Sequence, residues 1–293
     1  MKLASLLIGA LFSLNVYAQE TVRIYSPYSP THSGTPAMFK IIDEANKSQN
    51  IYKFVLEFKP GGNQVIALKS MDENSLAIIA PAFVENVNKG LVNESDYIPI
   101  HALGDACWAV ITNGSLKGIK EVTVGGVGFG NAAHLTALAL GEKYGFKVRY
   151  IVFKSNNDAL VNMAGDNGVI MVVDRYEAYE SMKTKNAKLE ALAASCPTRL
   201  PQAPKLKTTK EIGIDAPFVF NITVAHKSMD STKRKAIAIM LNDAQRKIGA
   251  DEIFKLSGMK IPSEDAAQFY TRSTNLVRSL QTKYRKEIEE ASK

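Results

Sequence analysis

The sequence predicts an α/β protein with mainly parallel sheets, and three observations predict it. Short apolar, strand-like runs alternate with helical patterns of about 10 to 15 residues, the order that builds βαβ units. Two of the strand-to-helix junctions carry turns rich in glycine and hydroxyl side chains. The last third of the chain changes character and reads as amphipathic helix.

Taken in order, TVRIYS (21–26) is a strand and TPAMFKIIDEANK (35–47) a helix, with Pro36 in the first turn where its missing N–H costs nothing. KFVLEF (53–58) is followed by the helical NQVIALKSM (63–71), and SLAIIA (75–80) and CWAVIT (107–112) are further strands. EVTVGGV (121–127) leads into AAHLTALALGEKYG (132–145), and KVRYIVF (147–153) into NDALVNMAGD (157–166). GVIMVVD (168–174) precedes the helix RYEAYESMKTK (175–185), and KLEALAAS (188–195) is the next strand. After FVFNITVAH (218–226) come helices at 231–249, 251–258 and 263–292. Ser263, with Glu264 and Asp265 behind it, reads as the cap of the last, its acidic first turn suiting the helix dipole.

The first 18 residues, MKLASLLIGALFSLNVYA, have the charged, apolar and small-residue order of a secretory signal peptide cleaved after Ala18. Nothing later approaches the ~20 uninterrupted apolar residues of a membrane-spanning helix. The expected product is an exported protein of 275 residues (293 less 18), enough for two domains. Without Lys2 it carries 35 basic and 29 acidic side chains, a net +6. The charges are interspersed, so they describe a solvated surface with a mild attraction for acids, and no nucleic-acid partner is expected. Cys107 and Cys196 are the only cysteines, at a spacing that suits no zinc motif. They are either a disulfide, which an oxidising compartment permits, or two independently buried thiols.

The chemistry points to binding. GGVGFGN (125–131) has Asn131 where a dinucleotide fingerprint needs its third glycine, and no acidic residue follows at the ribose position, so no nucleotide cofactor is expected. There is no GxSxG elbow, and His101, His134 and His226 have no evident nucleophile beside them. No catalytic residue, metal or cofactor is expected. The turn SPTHSGT, with Ser29, Thr31, His32, Ser33, Gly34 and Thr35, and the turn before Asn131 instead place free helix N–H groups at strand ends, where an anion can be held without a buried arginine. His32 adds a ring that can donate or titrate near neutrality, and Asp174 ends a strand where it orients a ligand or caps a helix.

The order of six segments resembles the periplasmic solute-binding receptors of tripartite tricarboxylate transporters, the Bug receptors. They are YSPYSPTHSGTP (25–36), KPGGNQVIAL (59–68), IPIHALGDACWAVIT (98–112), VGGVGFGNAAHLTAL (124–138), VFKSNNDALVNMAGDNGVIMVVD (152–174) and LAASCPTRLPQAPKLKTTKEIGI (192–214). The resemblance implies a two-lobed type II periplasmic binding protein, a Venus flytrap of mixed, mainly parallel sheets flanked by helices. Residues 19–104 and 197–293 would form lobe 1 and 105–196 lobe 2, with Cys107 and Cys196 beside the hinge. The implied function is to capture a small organic acid, by default a di- or tricarboxylate, as a monomer and deliver it to membrane permease subunits. A sensing or scaffolding role of the same fold through a membrane partner is the alternative.

Carried over residue by residue, the implied ligand set is Tyr28, Ser29, Thr31, His32, Ser33, Gly34 and Thr35 on one side and Gly128, Phe129, Gly130 and Asn131 on the other. Asn63 and Asp174 match further positions near the cleft. The chain departs from the family pattern in four places. Thr31, His32 and Ser33 replace glycines, Pro36 stands where the family has Asp, Ala80 replaces Thr, and Phe129 replaces Ser. Tyr28 and Phe129 would add an apolar wall, which leaves a more apolar acid open as ligand.

Overall fold

The computed structural model describes residues 19–30, 32, 34–153, 156–165, 170–184, 188–196, 198–200 and 202–293. The expected signal peptide, Thr31 and Ser33 lie outside them. Two mixed sheets organise the chain.

The first sheet begins with β1 (Glu20–Ser26), whose Val22 and Ile24 point inward while Arg23 is exposed. α1 (Thr35–Ser48) buries Met38, Ile41, Ile42 and Ala45 on one face, the spacing of a helix that covers a sheet. β2 (Tyr52–Phe58), the short α2 (Val65–Lys69), β3 (Ser75–Ile79) and α3 (Ala82–Asn88) follow. β4 (Tyr97–Ala106) follows, ten residues long.

A single residue, Cys107, separates β4 from β5 (Trp108–Thr112), and there the chain passes into the second sheet. That sheet continues with β6 (Glu121–Gly126), α4 (Ala132–Tyr144), β7 (Lys147–Val152), α5 (Asn156–Gly165), β8 (Ile170–Arg175), α6 (Tyr176–Lys183) and β9 (Glu190–Ser195). α4 is apolar on every side and buried from Ala132 to Gly141, as a helix without a polar face must be.

The chain returns to the first sheet with β10 (Val219–His226), followed by α7 (Ser231–Ile248), α8 (Ala250–Ser257), the two-residue β11 (Met259–Lys260), α9 (Ala266–Lys283) and α10 (Arg285–Ala291). Asp265, rather than the expected Ser263, caps α9, accepting hydrogen bonds from the N–H groups of Ala267 (2.9 Å) and Gln268 (2.8 Å).

The strand orders are β11-β4-β10-β3-β1-β2 and β7-β6-β8-β5-β9. β2, β1 and β3 are mutually parallel, as are β7, β6 and β8. β10 is antiparallel to both β3 and β4, β11 to β4, and β5 to both β8 and β9. Parallel pairing is thus confined to strands joined by the βα units read from the sequence. Antiparallel strands fill the remainder of each sheet.

Trp108 is opposite Ser195 in the β5–β9 register, which brings the next residues outward, Cys107 and Cys196, together. They are joined in a disulfide with Cα atoms 5.0 Å apart. Beyond Cys196 the chain stays on the second sheet for a further stretch. The Ala194 N–H donates to the Lys207 carbonyl (2.9 Å), the Thr209 N–H to the Ala194 carbonyl (2.8 Å), and the Ser195 hydroxyl to the Pro217 carbonyl (3.0 Å). Among the described residues, no helix is long and apolar enough to cross a membrane.

Candidate functional site

The first turn leaves β1 at Ser26 and closes on itself before entering α1. The Tyr28 N–H donates to Ser26 Oγ (3.3 Å), and the His32 N–H to the Ser29 carbonyl (3.0 Å). The Thr35 N–H reaches the His32 carbonyl (3.0 Å), and its hydroxyl the Ser29 carbonyl (3.4 Å). The His32 ring lies flat on Tyr28, with centroids 3.8 Å apart and planes within 7°. His32 Nδ1 accepts from the Gly34 N–H (3.1 Å), so the proton of the neutral ring sits on Nε2. Burial, with a smaller push from the positive charge of Arg175, lowers the His32 pKa to about 4. The expectation that His32 titrates near neutrality is therefore corrected: near pH 7 it is a neutral donor.

Beneath this turn lies a pocket lined by four of the expected residues, Tyr28, His32, Gly34 and Thr35. Sequence reasoning missed the others. Ser26 and Asn221 are polar, while Met38, Leu56, Ile78, Leu103 and Met259 are apolar. The Tyr28 hydroxyl donates to Asn221 Oδ1 (3.2 Å), and the Asn221 amide lies 3.8 Å from Met259 Sδ. Asn221 had a signal in the sequence, since it is the lone amide inside the apolar strand FVFNITVAH. Met259 had none.

The second turn joins β6 to α4. Asn131 Oδ1 caps the helix by accepting from the His134 N–H (3.0 Å), and it also accepts from the Tyr150 hydroxyl (3.2 Å). His134 Nδ1 accepts from the Gly130 N–H (3.1 Å), and its ring stacks on Tyr150 with centroids 4.1 Å apart. Burial lowers the His134 pKa to about 4, so this ring too is neutral. Phe129 is half-buried against the His134 and Tyr150 rings, at 6.0 and 5.9 Å.

This turn meets the first-sheet side of the molecule at three places. Gly128, at φ 124°, lies so close to Asn63 that a Cβ would fall 2.9 Å from Asn63 Oδ1. A Cβ on Gly130 would sit 3.2 Å from the Glu85 carboxyl, and its carbonyl accepts from Gln281 Nε2 (2.9 Å). Asn63 and Gln64 both adopt positive φ, 49° and 82°. The Asn63 carbonyl accepts from Asn86 Nδ2 (2.5 Å) and Gln64 Oε1 from the Ala80 N–H (3.2 Å), partners that hold this uncommon conformation in place.

Asp174 is in β8 opposite Ala109, one residue before Arg175; the description of its side chain lies outside the described residues, as do Thr31 and Ser33. His101 and His226 stand apart from the pocket. His101 is bonded to Gln245 in the interior and His226 to the Ser228 hydroxyl (2.7 Å). Among the described residues, no three His, Cys, Asp or Glu side chains come together as a metal site.

The fold recurs in solved solute-binding proteins. A TctC solute-binding protein from Polaromonas is 20% identical, with a TM-score of 0.68 over 92% of this chain and 99% of its own. MatC from Rhodopseudomonas palustris, solved with bound malate, is 14% identical with a TM-score of 0.70 over 92% and 98% of the two chains. A second R. palustris protein, solved with adipate, is 14% identical with a TM-score of 0.72 over 93% and 97%. At these identities the likeness shows the two-lobed binding-protein fold. No curated protein sequence matches the chain significantly. The family model described as the tripartite tricarboxylate transporter family receptor, TctC, matches residues 74–271, more than half of the 293. By that match, which spans the second turn, both cysteines and the returning strand β10, the chain belongs to the TctC family of tripartite tricarboxylate transporter receptors.

Proposed function

We propose that this protein is an exported receptor that captures a small organic carboxylate between its two lobes and delivers it to the permease subunits of a tripartite-type membrane transporter. The observation that carries the reading is the pocket under the β1–α1 turn, because it sits at the carboxyl end of a parallel strand beside a helix N-terminus. Family membership supports it, as do the malate and adipate in the two R. palustris neighbours. In this reading lobe 1 holds the β1–β4 and β10–β11 sheet, lobe 2 the β5–β9 sheet, and Cys107–Cys196 restrains the crossing between them. The hydrogen bonds of residues 207–209 and of the Pro217 carbonyl to β9 support a return to lobe 1 just before β10 in this reading.

A thermal-shift screen of the folded mature chain against organic acids tests this. A ligand at a hundred times its Kd stabilises by about 2.7 kcal/mol, which raises Tm by about 5 °C in a chain of this size. If no acid moves Tm while the chain is demonstrably folded, the receptor reading fails. His32 contributes as a neutral donor here, so His32→Ala is expected to weaken binding by roughly three- to tenfold, equally at pH 6 and pH 8. A loss confined to the acidic side would mean that the ring binds as a cation.

A further inference from the structure

From the lining of the pocket we infer that it is a slot for the uncharged tail of a monocarboxylate, with Met259 as the residue that sets tail length. This rests on the receptor reading above and narrows its ligand class away from di- and tricarboxylates.

Every strand of the first sheet contributes one residue to the lining: Ser26 from β1, Leu56 from β2, Ile78 from β3, Leu103 from β4, Asn221 from β10 and Met259 from β11. The turn and α1 supply the rest, and among the described residues no Lys, Arg, Asp or Glu lines the pocket. The polar atoms present are engaged with one another. Ser26 Oγ holds the Tyr28 N–H, Asn221 Oδ1 holds the Tyr28 hydroxyl, and His32 Nδ1 holds the Gly34 N–H. The donors left for a ligand are neutral: the His32 Nε2–H, and the Asn221 amide, which faces only a weak acceptor, the Met259 sulfur at 3.8 Å.

A second carboxylate placed here would be stripped of water and find no countercharge, which is strongly unfavourable. The single charged end belongs at the mouth, beside the helix N-terminus and on the side where the Arg175 charge reaches His32. A hydrocarbon or aromatic tail suits the walls.

The slot as it stands has room for about one water molecule. Met259 closes it against the turn: its Cε lies 2.7 Å from the point a Gly34 Cβ would occupy. Met38 closes it from the helix side. Both side chains are unbranched and adaptable, so a tail enters by displacing them rather than by moving the sheet.

Hexanoate and adipate, six carbons each and different only at the far end, make the test by calorimetric titration of the full mature chain. Hexanoate is expected to bind at least tenfold more tightly than adipate, and each methylene from butyrate to hexanoate to add about fourfold. Met259→Ala is expected to shift the preferred chain length upward, toward octanoate. Adipate, malate or citrate binding as tightly as hexanoate, or affinity indifferent to tail length, overturns the inference while leaving the receptor reading intact. Binding by none of these acids overturns the inference, while the receptor reading is decided separately by the thermal-shift screen. An unchanged length preference in a folded Met259→Ala protein overturns the role of Met259, and if that variant does not fold the wild-type series decides alone.

Discussion

Lowering the pH from 7 to 5 is expected to cost about 2 kcal/mol of folding stability for each of two buried imidazoles, His101 and His134. Both rings are fully buried, and burial lowers each pKa from 6.5 to about 4. The hydrogen bonding agrees with the direction. His134 Nδ1 accepts from the Gly130 N–H, so a proton there would break that bond and set two donors against each other. His101 bonds to Gln245 through Nε2, while its Nδ1 is buried without a partner, so a proton on it would be an orphaned donor.

Below pH 6.5 the unfolded chain takes up these protons and the folded chain does not. Stability therefore falls as the pH drops through the window from 6.5 to about 4, with a slope near 1.4 kcal/mol per pH unit for each ring. Against a usual total of about 5–15 kcal/mol, the loss from two rings is large. The surface carboxylates whose pKa is lowered, such as Glu211 at about 2 beside Arg199, lose their contribution mainly below about pH 5, outside the measured range of pH 7 to 5. Urea unfolding at pH 7, 6 and 5 measures the effect. Burial lowers His32 to about 4 as well, so His101→Gln should remove about a third of the slope, and equal stability of the wild type at all three pH values would show that the rings are protonated in the fold.

His101 also marks a stretch that local sequence pattern does not resolve. β4 was not read as a strand because YIPIHALGDA mixes Pro99, His101, Gly104 and Asp105 into its apolar residues. The structure makes the strand viable with partners far along the chain: Gln245 of α7 meets His101, and Arg272 of α9 meets Asp105 at 2.9 Å. Such partners follow no local periodicity. The strands β1, β6 and β7 and the helices α1 and α4 were legible because their apolar spacing and turn residues are local.

The same division runs through the candidate site. Tyr28, His32, Gly34 and Thr35 could be named from the turn chemistry of one short segment. The floor beneath them could not, because Leu103, Asn221 and Met259 come from three distant strands whose alignment depends on the antiparallel order β11-β4-β10-β3. Phe129 was expected to form a wall with Tyr28; its ring contacts are His134 of α4 and Tyr150 of β7.

Gly126→Ala is expected to destabilise the fold by about 2–4 kcal/mol, the sum of an overpacking cost and a weakened helix cap. Gly126 is the last residue of β6, and a methyl group there would run into the Tyr150 hydroxyl, with the Ala133 Cβ only 3.3 Å away. The hydroxyl cannot simply step aside. It donates to Asn131 Oδ1, the atom that caps α4, and the Tyr150 ring is stacked on His134, which in turn holds the Gly130 N–H. One added methyl group therefore disturbs the whole second turn. Chemical denaturation of Gly126→Ala, Tyr150→Phe and the double variant tests this coupling. Removing the hydroxyl first takes away the closest clash, so the alanine should cost at least 1 kcal/mol less in the Tyr150→Phe background than in the wild type. Additive costs would mean that the turn relaxes without Tyr150, and that the glycine is there for the backbone alone.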